Sequence, residues 1–100
     1  MSDFREMQQA DRRLVILRVL AESASYSTNE HLLRSMVGQL GHQVGADRMR
    51  ADVSDLEEMG LITHDAVAGV VIATLTEKGL DVANGVVTVE GVKRPAPGRG

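Results

Sequence analysis

RMRADVSDLEEMGLI, from Arg48 to Ile62, changes character once, at Gly60. Before the glycine, Met49, Val53 and Leu56 recur at helical spacing and mark one buried face. Gly60 can adopt the left-handed turn that ends a helix, and Leu61-Ile62 begins a β-prone run. The helix starts near Gly45, an acceptable N-cap, and Asp47 in its first turn complements the helix dipole. Its charge is unfavourable for a polyanionic partner. Between Gly45 and Gly60, Arg48 and Arg50 stand against Asp47, Asp52, Asp55, Glu57 and Glu58, an excess of −3 that equals the formal net charge of the whole chain.

Upstream, Ser27-Thr28-Asn29-Glu30 fits a capping box, with Ser27 and Glu30 satisfying each other's amides. Leu32, Leu33, Met36, Val37 and Leu40 then predict the buried stripe of a second helix, and Gly41 stands where a left-handed C′ residue belongs. The turn His42-Gln43-Val44 joins it to the third helix, which gives a helix-turn-helix. The first helix, predicted over Asp3 to Ser23, holds no Gly or Pro. Leu14, Leu17, Ala21 and Ala24, with Ile16, Val19 and Leu20, spread its apolar arc over more than half the circumference. That is wider than one small core requires. Either the helix is central to the domain, or a second face meets another subunit through Leu14, Val15, Leu17 and Ala21.

Beyond Gly60, Leu61 to His64 and Val70 to Thr76 read as strands joined through Ala66-Val67-Ala68-Gly69, with Gly69 free to take a positive φ. Thr76 to Gly85 predicts a brief helix capped by Thr76 and closed by Asn84-Gly85. Val86 to Val92 reads as a further strand. The expected organisation is one domain over residues 1–92 and a flexible basic Pro/Gly tail, KRPAPGRG, over residues 93–100.

The chain has 100 residues, 43% of them apolar and 25% charged, as in an ordinary soluble domain. Phe4 and Tyr26 are its only aromatics, too few for base-stacking platforms. With no cysteine, disulfides, thiolate metal sites and cysteine nucleophiles are excluded. His31, His42 and His64 lack metal-ligand spacing, and no nucleophile, base and orienter trio is present. Neither a metal, a cofactor nor an enzymatic activity is expected. No apolar run approaches the length of a membrane span, and the charged beginning MSDFREMQQADRR is unlike a signal peptide. The expected location is the cytoplasm of a bacterial host.

Helix, helix, helix and hairpin is the winged helix-turn-helix order, so the expected class is mainly α with a small β-hairpin (α+β). Leu56-Glu57-Glu58-Met59-Gly60-Leu61-Ile62, followed by Leu75-Thr76-Glu77-Lys78-Gly79, resembles the L-x-x-x-G-L-I and L-T-x-K-G signature of bacterial winged-helix regulators of the ArsR, MarR and PadR kinds. Arg13-Leu14-Val15-Ile16-Leu17-Arg18-Val19-Leu20-Ala21-Glu22, Asn29-Glu30 and Gly91-Val92-Lys93-Arg94-Pro95 resemble a family of short proteins of Mu-like transposable bacteriophages and prophages. The resemblance implies a phage origin. It also implies an ArsR-like transcriptional regulator, although the cysteine ligands of ArsR metal sensors are missing.

Under that reading the partner is double-stranded DNA, bound by a homodimer. Candidate contacts are Arg48, Arg50, Ala51 and Ser54 on the third helix, Asn29 at the start of the second, and Lys93 and Arg94 in the tail. Either arginine can reach a guanine edge or a phosphate, and Ser54 a phosphate. In the bland alternative, Arg48 pairs with Asp52, and Arg50 with Ser54 or Glu57, on a solvated surface. Further positive charge lies in Arg5, Arg12, Arg13 and Arg99. The wing tip, Asp65-Ala66-Val67-Ala68-Gly69, has no cation for a phosphate. A rival reading is therefore a winged-helix protein-interaction module, with Asp55 and Glu58 facing a basic patch on a host or phage protein.

Overall fold

A computed structural model describes residues 3–96. Its elements are α1 (Phe4–Ala21), a 3₁₀ turn (Ala24–Tyr26), β1 (Ser27–Asn29), α2 (Glu30–Gln39), α3 (Ala46–Glu58), β2 (Ile62–Val67), β3 (Val70–Leu75) and α4 (Glu77–Ala83). The three strands form one antiparallel sheet in the order β1-β3-β2. This is the α+β winged helix-turn-helix that the element order predicts.

Asp3 caps α1 by accepting from the Glu6 amide at 3.0 Å. Leu14, Ile16, Leu17, Val19 and Leu20 of this helix are all buried, and it packs on α2, α4 and β3. The wide apolar arc thus belongs to a central helix. Leu14 and Leu17, candidates for a subunit interface, lie inside the chain's own core, and Leu17 has no exposed surface at all. Val15 and Ala21 are half-buried against that core.

The capping box is not what forms. Asn29 caps α2, its side-chain oxygen accepting from the Leu32 amide at 2.8 Å. Ser27 and Thr28 are claimed by the sheet, paired with Thr74 and Ala73 of β3, and the Ser27 and Thr74 hydroxyls sit 2.6 Å apart. Leu32 and Leu40, expected in the buried stripe, are 49% and 60% exposed, because Leu33 and Val37, with Met36 beside them, fill the core-facing side of this short helix.

β2 and β3 meet at Val67 and Val70 around a two-residue turn. Ala68 and Gly69 both have positive φ (52° and 80°), the conformation of a type I′ hairpin. Thr76 caps α4 by accepting from the Gly79 amide at 3.0 Å. The same threonine donates its hydroxyl to the Gly60 carbonyl at 2.7 Å and its amide to the Leu61 carbonyl at 3.0 Å. Lys78 Nζ reaches the Met59 carbonyl at 3.3 Å. A Cβ at Gly79 would collide with the Leu61 carbonyl oxygen and come within 2.7 Å of Leu75 Cδ1. The two halves of the signature motif are therefore one joint. The second half fastens the turn by which the first half leaves the helix.

No strand forms over Val86 to Val92. The amides of Val86 and Val87 both turn back to the Asp81 carbonyl, and Val89 and Val92 pack onto the core. Nor is Lys93 part of a free arm. Its amide donates to the Ala10 carbonyl at 3.1 Å and its Nζ lies 3.3 Å from Asp11. Residues 97–100 of the expected tail, Arg99 included, lie outside the described residues.

Candidate nucleic-acid interface

Met49, Asp52, Val53 and Leu56 form the inner face of α3. At 100° per residue, the outward crest is Asp47, Ala51, Ser54 and Glu58, with Arg48 and Arg50 on opposite flanks. Ser54 and Glu58 are exposed and Ala51 is half-buried. Unlike the other three α-helices, α3 has no side-chain cap, since Gly45 offers none.

Most of the acidity of α3 is answered from within the fold. Arg12 grips buried Asp52 through Nε and through Nη2, the latter at 3.0 Å. Arg13 Nη2 donates to Asp55 at 3.0 Å, and its Nη1 to the Gly91 carbonyl at 3.2 Å. Gly91 has a φ of 94° and a Cβ there would crowd Arg13 Nη1 at 3.0 Å, so glycine makes room for this guanidinium. Glu57 takes the His64 amide at 3.2 Å and pairs with His64 Nδ1 at 2.7 Å, tying the end of α3 to the wing. Two arginines of α1 thus oppose two of the excess negative charges. Asp47 and Glu58 are the acids of α3 for which no such partner occurs among the described residues.

The two arginine candidates differ. Arg50 makes a two-pronged bond to Glu30 of α2, at 2.8 and 3.1 Å, rather than pairing with Ser54 or Glu57. The Glu30 carboxylate raises the pKa of this arginine, while the guanidinium holds the Glu30 carboxyl below its ordinary value. The Arg50 side chain nevertheless stays 59% exposed, so part of its donor edge still faces out. Arg48 does not pair with Asp52, which Arg12 occupies. It is exposed in a groove beside Asp3, Arg5 and Glu6 of α1.

Asn29 spends its side-chain oxygen on the α2 cap. Lys93 is held against α1 with Asp11, whose carboxyl is kept below its ordinary value chiefly by the His42 hydrogen bond (2.6 Å) and further by Lys93. Arg94 is exposed. On α2, His31, Arg34, Ser35 and Gln39 line an open groove with Gln43 of the turn. These positions were not among the candidates, because nothing in local periodicity marks them. Among the described residues, no three His, Cys, Asp or Glu side chains gather as a metal site, and no helix is long and apolar enough to cross a membrane.

The chain is 42% identical over 87 residues to uncharacterized protein gp26 of Escherichia phage Mu, an alignment that covers 87% of this chain and 90% of the phage protein. It is 38% identical over 78 residues to an uncharacterized protein of Haemophilus influenzae, covering 77% of this chain and 76% of that one. No protein-family model matches. Two solved complexes of the winged-helix protein hsRosR share the fold. For hsRosR-S1 the TM-score is 0.65 at 20% identity, covering 79% of this chain and 70% of that one. For hsRosR-S4 it is 0.62 at 22% identity, covering 72% of this chain and 62% of that one.

Proposed function

Because the chain belongs to the family of the phage Mu protein gp26, we propose that it is a dimeric, sequence-specific DNA-binding transcriptional regulator of phage or prophage origin, working in the bacterial cytoplasm. The observation that carries this reading is the internal pairing of Asp52, Asp55 and Glu57. Two of these acids are countered by arginine charge and the third is hydrogen-bonded to His64, which lessens the electrostatic objection to α3. What remains outward is Asp47, Ala51, Ser54 and Glu58 on the crest, Arg48 and Arg50 on the flanks, and a set of amino-terminal amides without a side-chain cap. The amino-terminal half of α3 then enters the major groove, Arg48 reaches a base edge or phosphate, and Arg50 offers the edge that Glu30 leaves free. A metal-free relative of the ArsR, MarR and PadR regulators fits the L-x-x-x-G-L-I and L-T-x-K-G joint.

We assign the dimer contact to α1, where Phe4 and Met7 are exposed and Val15 and Ala21 retain some surface. Two-fold pairing presents two α3 helices to half-sites about one DNA turn apart. An anisotropy titration at low salt against the early region of the phage tests the reading. The expected result is tighter binding than to random DNA, with Arg48→Ala losing roughly 1–3 kcal/mol at one position of the site. Equal affinity for both DNAs would sink it.

One observation favours the rival, a protein-interaction module that has given up DNA. Val67 is exposed at a wing tip without cations, and Glu58 remains outward on α3. Pull-down from infected cells with wild type and Glu58→Lys separates the two. A partner recovered by wild type and lost on charge reversal supports the module.

A further inference from the structure

We propose that the open groove between α2 and the turn before α3 seats a phosphate of the DNA backbone, with Arg34 as its cationic anchor. This rests on the DNA-binding reading above and extends it to residues outside α3.

The first support is the distribution of charge. Acids outnumber bases along the chain, yet residues 31–46 contain no Asp or Glu, the longest such stretch in the sequence. They form the body of α2, the turn and the start of α3. The preceding acid, Glu30, is buried and bonded to Arg50, so its charge is already answered. The groove walls therefore carry donors and no carboxylate: Arg34 and His31, with Ser35, Gln39 and Gln43 beside them.

The second is the state of Arg34. It is half-buried, and among the described residues no carboxylate lies within ion-pair distance of it. Arg12, Arg13 and Arg50 all have a carboxylate partner. A planar guanidinium matches phosphate oxygens as well as it matches a carboxylate.

The third is shape. The groove is open to solvent along an exposed helix side and supplies one permanent charge. A single cation in an open groove cannot retain a free small anion against water. It can hold a phosphate that the rest of the interface has already brought near. Gln43 and Val44 run directly into Gly45, the N-cap of α3, so a strand seated there passes the end of α3 that faces the groove of the duplex.

The test uses the full chain and two mixed-sequence duplexes of different base composition, titrated by anisotropy from low to physiological salt. Arg34→Gln should weaken both by the same severalfold factor and reduce the magnitude of the salt slope by about 0.9, the contribution of one phosphate. Arg34→Lys should restore the slope, and the melting temperature of both variants should match wild type. An unchanged slope in Arg34→Gln, or a loss confined to one duplex, overturns the phosphate seat while DNA binding itself stands. Competition by inorganic phosphate beyond that of chloride at equal ionic strength also overturns it, because it would mark a small-anion site. Failure of the wild-type chain to bind either duplex overturns both proposals.

Discussion

α3 meets α1 and the wing through the same kind of chemistry in opposite surroundings. Against α1, Arg12 and Asp52 are sealed from water. Against the wing, Glu57 and His64 are both more than a third exposed. The α2 seam lies between them, with Glu30 buried and Arg50 largely open. Burial therefore grades the three pairs from structural fastening to loose tether. It also decides which charges remain available to a partner. Arg12 is closed off, whereas Arg50 still shows an edge.

The largest effect should come from breaking the α1 seam on one side only. Asp52→Ala leaves a buried guanidinium without its counter-charge and should cost about 3–5 kcal/mol, much of the stability of a small domain. The Arg12→Met/Asp52→Leu double variant removes both charges and should recover most of that loss. Urea unfolding of the two variants checks the pair, and equal destabilisation would show that the seam is not behaving as a buried ion pair. A smaller effect, with a pH signature, is expected at the α2 seam. Because the Glu30 carboxyl is lowered from 4.5 in the fold, its contribution is complete above about that pH and disappears as pH falls through the lowered value. Thermal melts of wild type and Glu30→Gln should therefore differ near neutrality and converge in acid. Least of all, Glu57→Gln should shift stability by less than about 1 kcal/mol, and added salt should erase the difference. A large salt-resistant loss there would remove the proposed gradation.

The sequence displays local geometry better than distant pairing. Met49, Val53 and Leu56, the turn at Gly60, the Thr76 cap and the hairpin all follow from spacing within a few residues, and each is present. Arg12 and Arg13 counted as free positive charge, because nothing near them shows that Asp52 and Asp55 will arrive alongside. The false capping box has the same origin. Ser27 and Thr28 have strand partners more than forty residues away, and Glu30 is drawn to Arg50. Of the site, Arg48, Ser54 and the crest of α3 were legible from the helical period. The Arg34 groove was not, since it is made by α2 and the following turn together and its one sequence trace is a missing residue type, the carboxylate.

The joint at Gly79 bears on how the chain is made. α3 closes on its own neighbours, the Gly60 and Leu61 amides donating to the Glu57 and Leu56 carbonyls, whereas the turn carbonyls of Met59, Gly60 and Leu61 take their donors from Thr76 and Lys78. A growing chain released only as far as β3 has the helix and both wing strands, yet not the groups that fasten the turn between helix and wing. The passage from α3 into the wing should therefore reach its final form only after α4 has left the ribosome. A product cut short after Leu75 would be an unfinished winged helix rather than a smaller one.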